Sequence, residues 1–246
     1  MNVWWLPGFL ALTSDPLPIR ARVVSLHTLC QPGGVEALAH HVGPEDVLVG
    51  YSMGGRVALA AVAAGLRPAA LILVSASPGL GVPTARTARR DLDLARATSL
   101  EVDPSEFLAA WRREPIFAGA EAAPLWQGQQ EARAALVAHE LAAHGHSPWA
   151  RAQAEVLRTF SPGLMAPMWD ALPSLPTRTL WIAGARDGAY VEAAHVAAAR
   201  MPDAESAIVP GAGHALPLEA PEALAQLLES FTAAARRKPQ EGVEAC

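Results

Sequence analysis

Ser52 is the central residue of a Gly-x-Ser-x-Gly pentapeptide, a setting in which serine can act as a nucleophile. A serine hydroxyl becomes a good nucleophile only when a neighbouring imidazole accepts its proton and a carboxylate orients that imidazole. Asp187 and His214 follow Ser52 in the chain order serine, acid, histidine. This is the order found in enzymes that place the serine on a sharp strand-to-helix turn, so the three residues predict a catalytic triad.

The residues around Ser52 predict the turn itself. An apolar run at 47–49 precedes Gly50, and an Ala-rich stretch of helical length, 54–64, follows. This context is required of a nucleophile elbow, in which small residues let the strand and the helix pass close together. In an alternative interpretation, Ser52 only caps the helix, a common role of serine.

Each triad partner has competitors. Among the eight histidines, His214 follows a late predicted strand in a Gly-rich loop, and His27, after an early strand, is the rival by position. Asp187 follows the predicted strand 180–182. The loop at 75–78, where some enzymes of this type place the acid, has no carboxylate. The other acids considered are Asp91, Asp93, Asp170 and Asp203.

An oxyanion hole requires two backbone N–H groups near the serine. In enzymes with this turn, one belongs to the residue after the nucleophile, here Met53, and the other to the loop after the first core strand. Phe9 is the candidate in that loop, because Pro7 has no N–H. Since the protein supplies base, nucleophile and donors, no cofactor is implied. His144 and His146 have no nearby Cys or carboxylate cluster, so no metal site is predicted.

Short apolar runs alternate with Ala- and Leu-rich stretches along the chain. The runs predict strands at 3–6, 23–26, 47–49, 71–74, 180–182 and 207–209, and the stretches predict helices at 35–41, 54–64, 191–200 and 221–235. Such alternation indicates a mostly parallel sheet flanked by helices. Together with the elbow, it predicts an α/β-hydrolase fold.

The alternation is interrupted for about a hundred residues, a length that is unusual for a structureless loop. We expect a helical lid insertion at 78–176, over the edge of the sheet where open α/β folds bind ligands. The expected core consists of 1–77 and 177–237, and 238–246 forms a flexible tail.

Composition limits the classes of partner. The chain of 246 residues has 17% charged residues and a net charge of −5, which gives no electrostatic reason to bind nucleic acid. No apolar run approaches the ~18 residues of a membrane span, so no membrane insertion is expected. The start lacks a secretory signal and the cysteines number two, which favours the cytoplasm. A small-molecule substrate is expected, and the oligomeric state stays open.

The segment Gly50-Tyr51-Ser52-Met53-Gly54-Gly55-Arg56 resembles the elbow of the 2-succinyl-6-hydroxy-2,4-cyclohexadiene-1-carboxylate synthases of menaquinone biosynthesis. The expected insertion also resembles that family's lid, at Arg89-Arg90, Asp93, Ala95, Phe107-Leu108, Trp111, Pro115-Ile116-Phe117, Arg151, Leu157-Arg158, Gly163 and Trp169-Asp170-Ala171-Leu172. The chain departs from the family in four places. Pro7-Gly8 stands where His-Gly is usual, and the stretch 9–23 is too short for the usual first helix. The loop 27–34 lacks the expected Asp-x-Pro-Gly-His-Gly pattern, and Gly188-Ala189-Tyr190 stands where a Lys-Phe pair is common.

The resemblance implies elimination of pyruvate from a carboxylated enolpyruvyl cyclohexene, with the serine taking part in proton abstraction. It further implies that Arg89, Arg90 and Arg158 bind substrate carboxylates and that Tyr51 and Trp111 line the pocket. In the alternative interpretations, the arginines are ordinary exposed helix residues and Trp111 packs the lid. Two other functions are considered: a carboxylesterase or related hydrolase with a Ser52 acyl-enzyme, which needs no arginine-lined lid, and a non-catalytic binding protein of the same fold.

Overall fold

Six parallel strands form a single sheet in the computed structural model, which describes the backbone of residues 1–237 and the side chains of 1–235. The order across the sheet is β2-β1-β3-β4-β5-β6. The strands are β1 (Val3–Leu6), β2 (Arg22–Val23), β3 (Val47–Tyr51), β4 (Ala70–Val74), β5 (Thr179–Gly184) and β6 (Ala204–Val209). The predicted tail, 238–246, lies outside the described residues.

Helices cover both faces of the sheet. They are α1 (Met53–Ala63), α2 (Pro83–Val102), α3 (Pro104–Trp111), α4 (Pro124–His144), α5 (Pro148–Phe160), α6 (Gly188–Arg200), α7 (Leu216–Glu219) and α8 (Pro221–Arg237). Helices α1 and α6 contribute apolar residues to one core cluster, and α8 contributes to the other. The predicted class, an α/β fold with a parallel sheet flanked by helices, is confirmed.

The central strands are buried because helices cover both of their faces. Every residue of β4 and β5 is buried. Side chains alternate between the two faces, so Leu71 and Leu73 lie in the cluster with α1, whereas Ile72 and Val74 lie in the cluster with α8. Continuous apolar runs therefore fit this position in the sheet.

The N-terminal region differs most from the prediction. The strand predicted at 23–26 is the two-residue edge strand β2, which pairs only with Trp4 and Trp5 of β1. Leu26 begins a short 3₁₀ helix, Leu26–Leu29, and its side chain is buried. The helix predicted at 35–41 is also a 3₁₀ helix, Glu36–His40. The predicted strand was therefore too long, and the predicted helix had the right position but the wrong type, because buried leucines satisfy the apolar pattern of a strand or helix equally well in a tight turn.

The chain between β4 and β5 contains α2 to α5, and no strand is present in this described stretch. Helix α2 packs against α5 around the buried carboxylate of Asp93, which accepts hydrogen bonds from Arg89, Arg96 and Ser161. We call residues 83–160 the helical segment. The predicted limits at 78 and 176 fall in the connections on either side of it, and its role as a lid stays a prediction.

Within residues 1–237, no helix combines the length and apolar character needed to cross a membrane.

Candidate active site

The strand β3 ends in a strained turn that raises Ser52 above the sheet edge. Ser52 has φ 53°, a left-handed conformation that is costly for a residue with a side chain. Gly50 and Gly54 make room for this turn: a Cβ on Gly50 would lie 2.5 Å from Gly55 Cα, and one on Gly54 would lie 2.3 Å from the carbonyl oxygen of Leu6. The backbone therefore has the conformation expected of a nucleophile elbow.

Ser52, His214 and Asp187 form one hydrogen-bonded chain. Ser52 Oγ lies 3.0 Å from His214 Nε2, and His214 Nδ1 lies 2.6 Å from Asp187 Oδ2. Because the carboxylate can only accept, Nδ1 carries a proton and Nε2 is free to accept the serine proton. Ser52 makes no side-chain cap to α1, so the alternative interpretation of Ser52 as a helix cap is wrong.

The rivals of these residues lie elsewhere. His27, in a 3₁₀ helix, lies 3.3 Å from Glu155 at the surface, and both side chains are 43% exposed. Asp93 is buried among the arginines of α2, and Asp91 pairs with Arg90. Among residues 1–237 no group of three or more His, Cys, Asp or Glu side chains is placed to hold a metal ion.

The two predicted oxyanion residues lie beside Ser52. Phe9 and Met53 line the same cavity as the serine. Met53 is the first residue of α1, and the first N–H groups of a helix have no acceptor within the helix. Gly54 packs against the carbonyl groups of Leu6 and Pro7, so the elbow and the loop after β1 are in direct contact.

Aromatic side chains from the helical segment form an apolar wall of this cavity. Trp111 lies 5.1 Å from Phe9 between ring centroids, and Phe117 lies 6.1 Å from His214. Trp126 packs against Phe117 at 4.7 Å. The wall places apolar surface beside Phe9 and His214. Electrostatic interactions are stronger where such a surface displaces water.

Two tyrosines flank His214. The Tyr51 hydroxyl donates to the His214 carbonyl oxygen at 3.2 Å, and the Tyr190 ring centroid lies 4.6 Å from that of His214. Burial raises the pKa of both phenols, so both stay protonated. Tyr51 lines the cavity, as the family resemblance implied. Tyr190, at a position where the chain departs from the family pattern, is a second lining residue.

Three arginines reach the cavity. Arg56 and Arg133 are 5% exposed, and burial lowers the pKa of both, that of Arg133 to about 10. Arg56 Nε has no hydrogen-bond partner among the described residues. Arg89 Nε donates to Asp93 at 2.8 Å, and its side chain is 33% exposed. A buried cation without a full set of acceptors favours an anionic ligand.

Arg90 and Arg158 do not lie in this cavity. Arg90 pairs with Asp91 on the exposed face of α2. Arg158 forms two hydrogen bonds with Glu101, at 2.7 and 2.6 Å, and lines a different, charged surface depression. The structure therefore does not support the carboxylate-binding role expected for these two residues, because carboxylates of the chain already hold their guanidinium groups outside the cavity.

Arg56 and Arg133 were missed for different reasons. Arg56 follows Ser52 by four residues, and residues four apart share a helix face, so the spacing contained a usable signal. Arg133 lies in the middle of an Ala-rich helix with no motif around it. Its place in the cavity depends on how α4 packs, which the sequence pattern alone does not reveal.

The model of the Alpha/beta hydrolase family matches residues 6–227. The chain belongs to this family, and the predicted α/β-hydrolase fold is confirmed. Within the family, the chain is similar to 2-succinyl-6-hydroxy-2,4-cyclohexadiene-1-carboxylate synthases. It is 44% identical over 80 residues to the enzyme of that name from Klebsiella pneumoniae (strain 342), and the match covers 31% of each chain.

Solved structures resemble nearly the whole chain. The structure of MenH from S. aureus has a TM-score of 0.78 and 23% identity, and the match covers 96% of this chain and 94% of that one. A thermophilic esterase from Thermogutta terrifontis, solved with malate bound, has a TM-score of 0.66 and 21% identity, covering 95% and 89%. At these identities the likeness shows the fold alone.

Proposed function

We propose that this protein uses Ser52, His214 and Asp187 to eliminate pyruvate from a carboxylated enolpyruvyl cyclohexene, the synthase reaction of menaquinone biosynthesis. The observation that carries the proposal is the placement of Arg56, Arg89 and Arg133 in the same cavity as Ser52. The sequence similarity to synthases of this reaction supports it, although the match covers only 31% of the Klebsiella relative.

The arginines are suited to a substrate with several carboxylates. Guanidinium groups bind carboxylates through parallel hydrogen bonds, and these strengthen where water is excluded. Arg56 and Arg133 are buried and start from different helices, α1 and α4. A substrate with one carboxylate would form parallel hydrogen bonds with only one of these two guanidinium groups, and a buried cation with unmet hydrogen-bonding groups is costly. We therefore expect a ligand with more than one carboxylate.

The triad supplies the base for the elimination. His214 accepts the proton of Ser52, and the serine oxygen then removes a proton from a ring carbon of the substrate. The electron pair of the broken C–H bond forms a new ring double bond. The bond between the ring carbon and the enolpyruvyl oxygen breaks. Enolpyruvate leaves and takes up the proton that His214 holds, which gives pyruvate and returns the imidazole to its neutral form. In this proposal the N–H groups of Phe9 and Met53 stabilise the negative charge that develops on a substrate oxygen.

A carboxylesterase is the second candidate. The apolar wall of Trp111, Phe117 and Trp126 favours this function, because it suits a neutral acyl or alcohol group better than a carboxylate. In that reaction Ser52 Oγ attacks the ester carbon, His214 protonates the leaving alcohol, and water then releases the acyl group. Three cavity arginines have no task on a neutral ester, so we rank this function second.

The test measures pyruvate release from enzymatically generated enolpyruvyl substrate above the spontaneous rate, with lactate dehydrogenase and NADH as the reporter. Wild type and Ser52→Ala are assayed on this substrate and on p-nitrophenyl acetate. We expect wild type to accelerate pyruvate release and Ser52→Ala to lose the acceleration. Hydrolysis of the ester by wild type, without any acceleration of pyruvate release, would replace the synthase with the esterase.

A further inference from the structure

The loop after β1 contains a residue in an unusual backbone conformation. Leu10 has φ 62°, and its side chain is completely buried. Leucine adopts this left-handed conformation only when the surroundings impose it. Leu10 directly follows Phe9, the residue whose N–H is the proposed oxyanion donor, so whatever holds Leu10 also limits the orientation of Phe9.

Two buried side chains of the helical segment hold the backbone of Leu10 from opposite sides. Gln153 of α5 accepts a hydrogen bond from Leu10 N–H at 3.0 Å, and Arg133 of α4 donates from Nε to the Leu10 carbonyl oxygen at 2.8 Å. The Trp149 indole donates to the carbonyl oxygen of Ala11 at 3.3 Å. These three bonds to the loop therefore come from helices α4 and α5.

Gln153 and Arg133 differ in one respect that makes Gln153 the better probe. Arg133 lines the cavity, so a change there alters both the loop and the substrate site. Gln153 is 8% exposed and is not among the residues that line the cavity with Ser52. A substitution at Gln153 therefore removes a contact with the loop without removing a side chain that lines the cavity.

We infer that Gln153 is a positioning residue that sets the oxyanion hole from the helical segment. The Leu10 N–H shares a rigid peptide plane with the Phe9 carbonyl, so an acceptor that fixes the Leu10 N–H restricts rotation of the Phe9 backbone. This restriction keeps the Phe9 N–H directed at the cavity. The inference rests on the proposed function insofar as Phe9 is an oxyanion donor. Helices α4 and α5, as well as the sheet, then determine how well the oxyanion hole stabilises the transition state.

The test uses a fluorophosphonate, which reports on the oxyanion hole without the synthase substrate. Ser52 Oγ bonds to phosphorus, fluoride leaves, and the serine proton passes to His214, while the phosphoryl oxygen occupies the oxyanion hole. We expect Gln153→Met, which has similar length and no strong acceptor, to reduce the limiting rate constant of inactivation about 10- to 100-fold. The half-saturating concentration of the probe should change little. Gln153→Glu keeps an acceptor oxygen and should restore most of the rate.

One control and one further variant separate positioning from general damage. Ser147→Ala removes the N-terminal cap of α5, where Ser147 accepts from Ala150 N–H at 3.0 Å, and the hydrogen bond that Ser147 donates to Glu140, without touching Leu10. It should label at the wild-type rate despite a lower melting temperature. Gln153→Asn, one methylene too short to reach Leu10, is the second variant if Gln153→Met does not fold.

The outcomes are distinct. Equal labelling of wild type and a folded Gln153→Met or Gln153→Asn variant would overturn the inference and leave the proposed function intact. Equal slowing in Ser147→Ala would also overturn it, because a weakened helix would then explain the loss. If the probe failed to label Ser52 of wild type at all, the proposed function would fall and the inference with it.

Discussion

Glu219 holds the loop of His214 on both sides of the histidine. Its buried carboxylate accepts hydrogen bonds from the backbone N–H groups of Gly213 and Ala215, each at 2.9 Å. The same carboxylate pairs with Arg186, the neighbour of Asp187. One side chain therefore links the backbone around the base to the loop of the acid.

Glu219→Gln should reduce kcat about tenfold and leave KM within about twofold. The amide can accept through only one atom, so one of the two backbone N–H groups is left without a partner, at a cost of about 1–3 kcal/mol. A displaced imidazole loses its alignment with Ser52 rather than its contact with substrate. Steady-state kinetics on the enolpyruvyl substrate measure the effects on kcat and KM separately. The control Glu205→Gln removes an exposed partner of Arg178, at 3.6 Å, and should change neither constant.

Gly54→Ala should abolish the chemistry by separating the elbow from the oxyanion loop. The new methyl carbon would lie 2.3 Å from the carbonyl oxygens of Leu6 and Pro7, and neither backbone atom can rotate away. We expect a loss of activity of about 100-fold or more, because displacements of about 1 Å have effects of this size. Overpacking should also lower the free energy of unfolding by about 1–3 kcal/mol, measured by urea denaturation.

Gly128→Ala is the matched control for that substitution. Gly128 lies in α4, and a Cβ there meets no atom within 4 Å. Alanine is the better helix residue, so stability should rise by about 0.5–1 kcal/mol with activity unchanged. Equal activity in both alanine variants would show that close contact at Gly54 is not needed.

The sequence allowed the relative positions of Ser52, Asp187 and His214 to be predicted because of a property of parallel sheets. The three residues follow β3, β5 and β6, and the carboxyl ends of parallel strands meet at one edge. Strand order did not need to be known for this. Their catalytic role is still a proposal, and the labelling and kinetic tests above address it.

The arginines show where such reasoning fails. Arg158 and Arg133 both lie in helices of the helical segment, and nothing in their local sequence says which one faces the cavity. The answer depends on tertiary packing: α5 presents Arg158 to Glu101 of α2, whereas α4 presents Arg133 to Leu10. The prediction of the edge strand β2 fails for a similar reason, since the length of this strand depends on pairing with β1 and not on its own apolar pattern.

Arg89→Ala and Arg158→Ala form a matched pair that tests the carboxylate site. Both arginines lie on the helical segment, both pair with a carboxylate, and their side chains are 33% and 37% exposed. Arg89→Ala should raise KM for the enolpyruvyl substrate about tenfold, because one charge-assisted hydrogen bond to the substrate is lost. It should leave p-nitrophenyl acetate hydrolysis unchanged. Arg158→Ala should change neither. Equal effects of the two variants on KM would contradict this assignment of the site.

Asp46 ties the start of β1 to the loop before β3, and its charge should make stability depend on pH. The carboxylate accepts from Asn2 N–H at 2.6 Å, from the Trp4 indole at 3.0 Å and from Gly43 N–H at 3.1 Å. Burial opposes the charge, but these hydrogen bonds together outweigh it and lower the pKa of Asp46. The unfolded chain has a pKa near the ordinary value of about 3.9.

A lowered pKa in the folded state means that the stabilisation is fully present above the unfolded value and is lost as the pH falls through the folded value. Asp46→Asn, which cannot ionise, should therefore be less stable than wild type by about 1–3 kcal/mol at pH 7 and pH 5. The difference should shrink below about pH 4. Urea titrations followed by tryptophan fluorescence at pH 7, 5, 4 and 3 measure it.

The exposed control Asp91→Asn should stay within about 0.5 kcal/mol of wild type at every pH, because Asp91 is 60% exposed in its pair with Arg90. If the difference for Asp46→Asn stayed constant down to pH 3, the shape of the side chain rather than its charge would account for the stabilisation. A decreasing difference assigns it to the hydrogen bonds that the ionised carboxylate accepts from Asn2, Trp4 and Gly43.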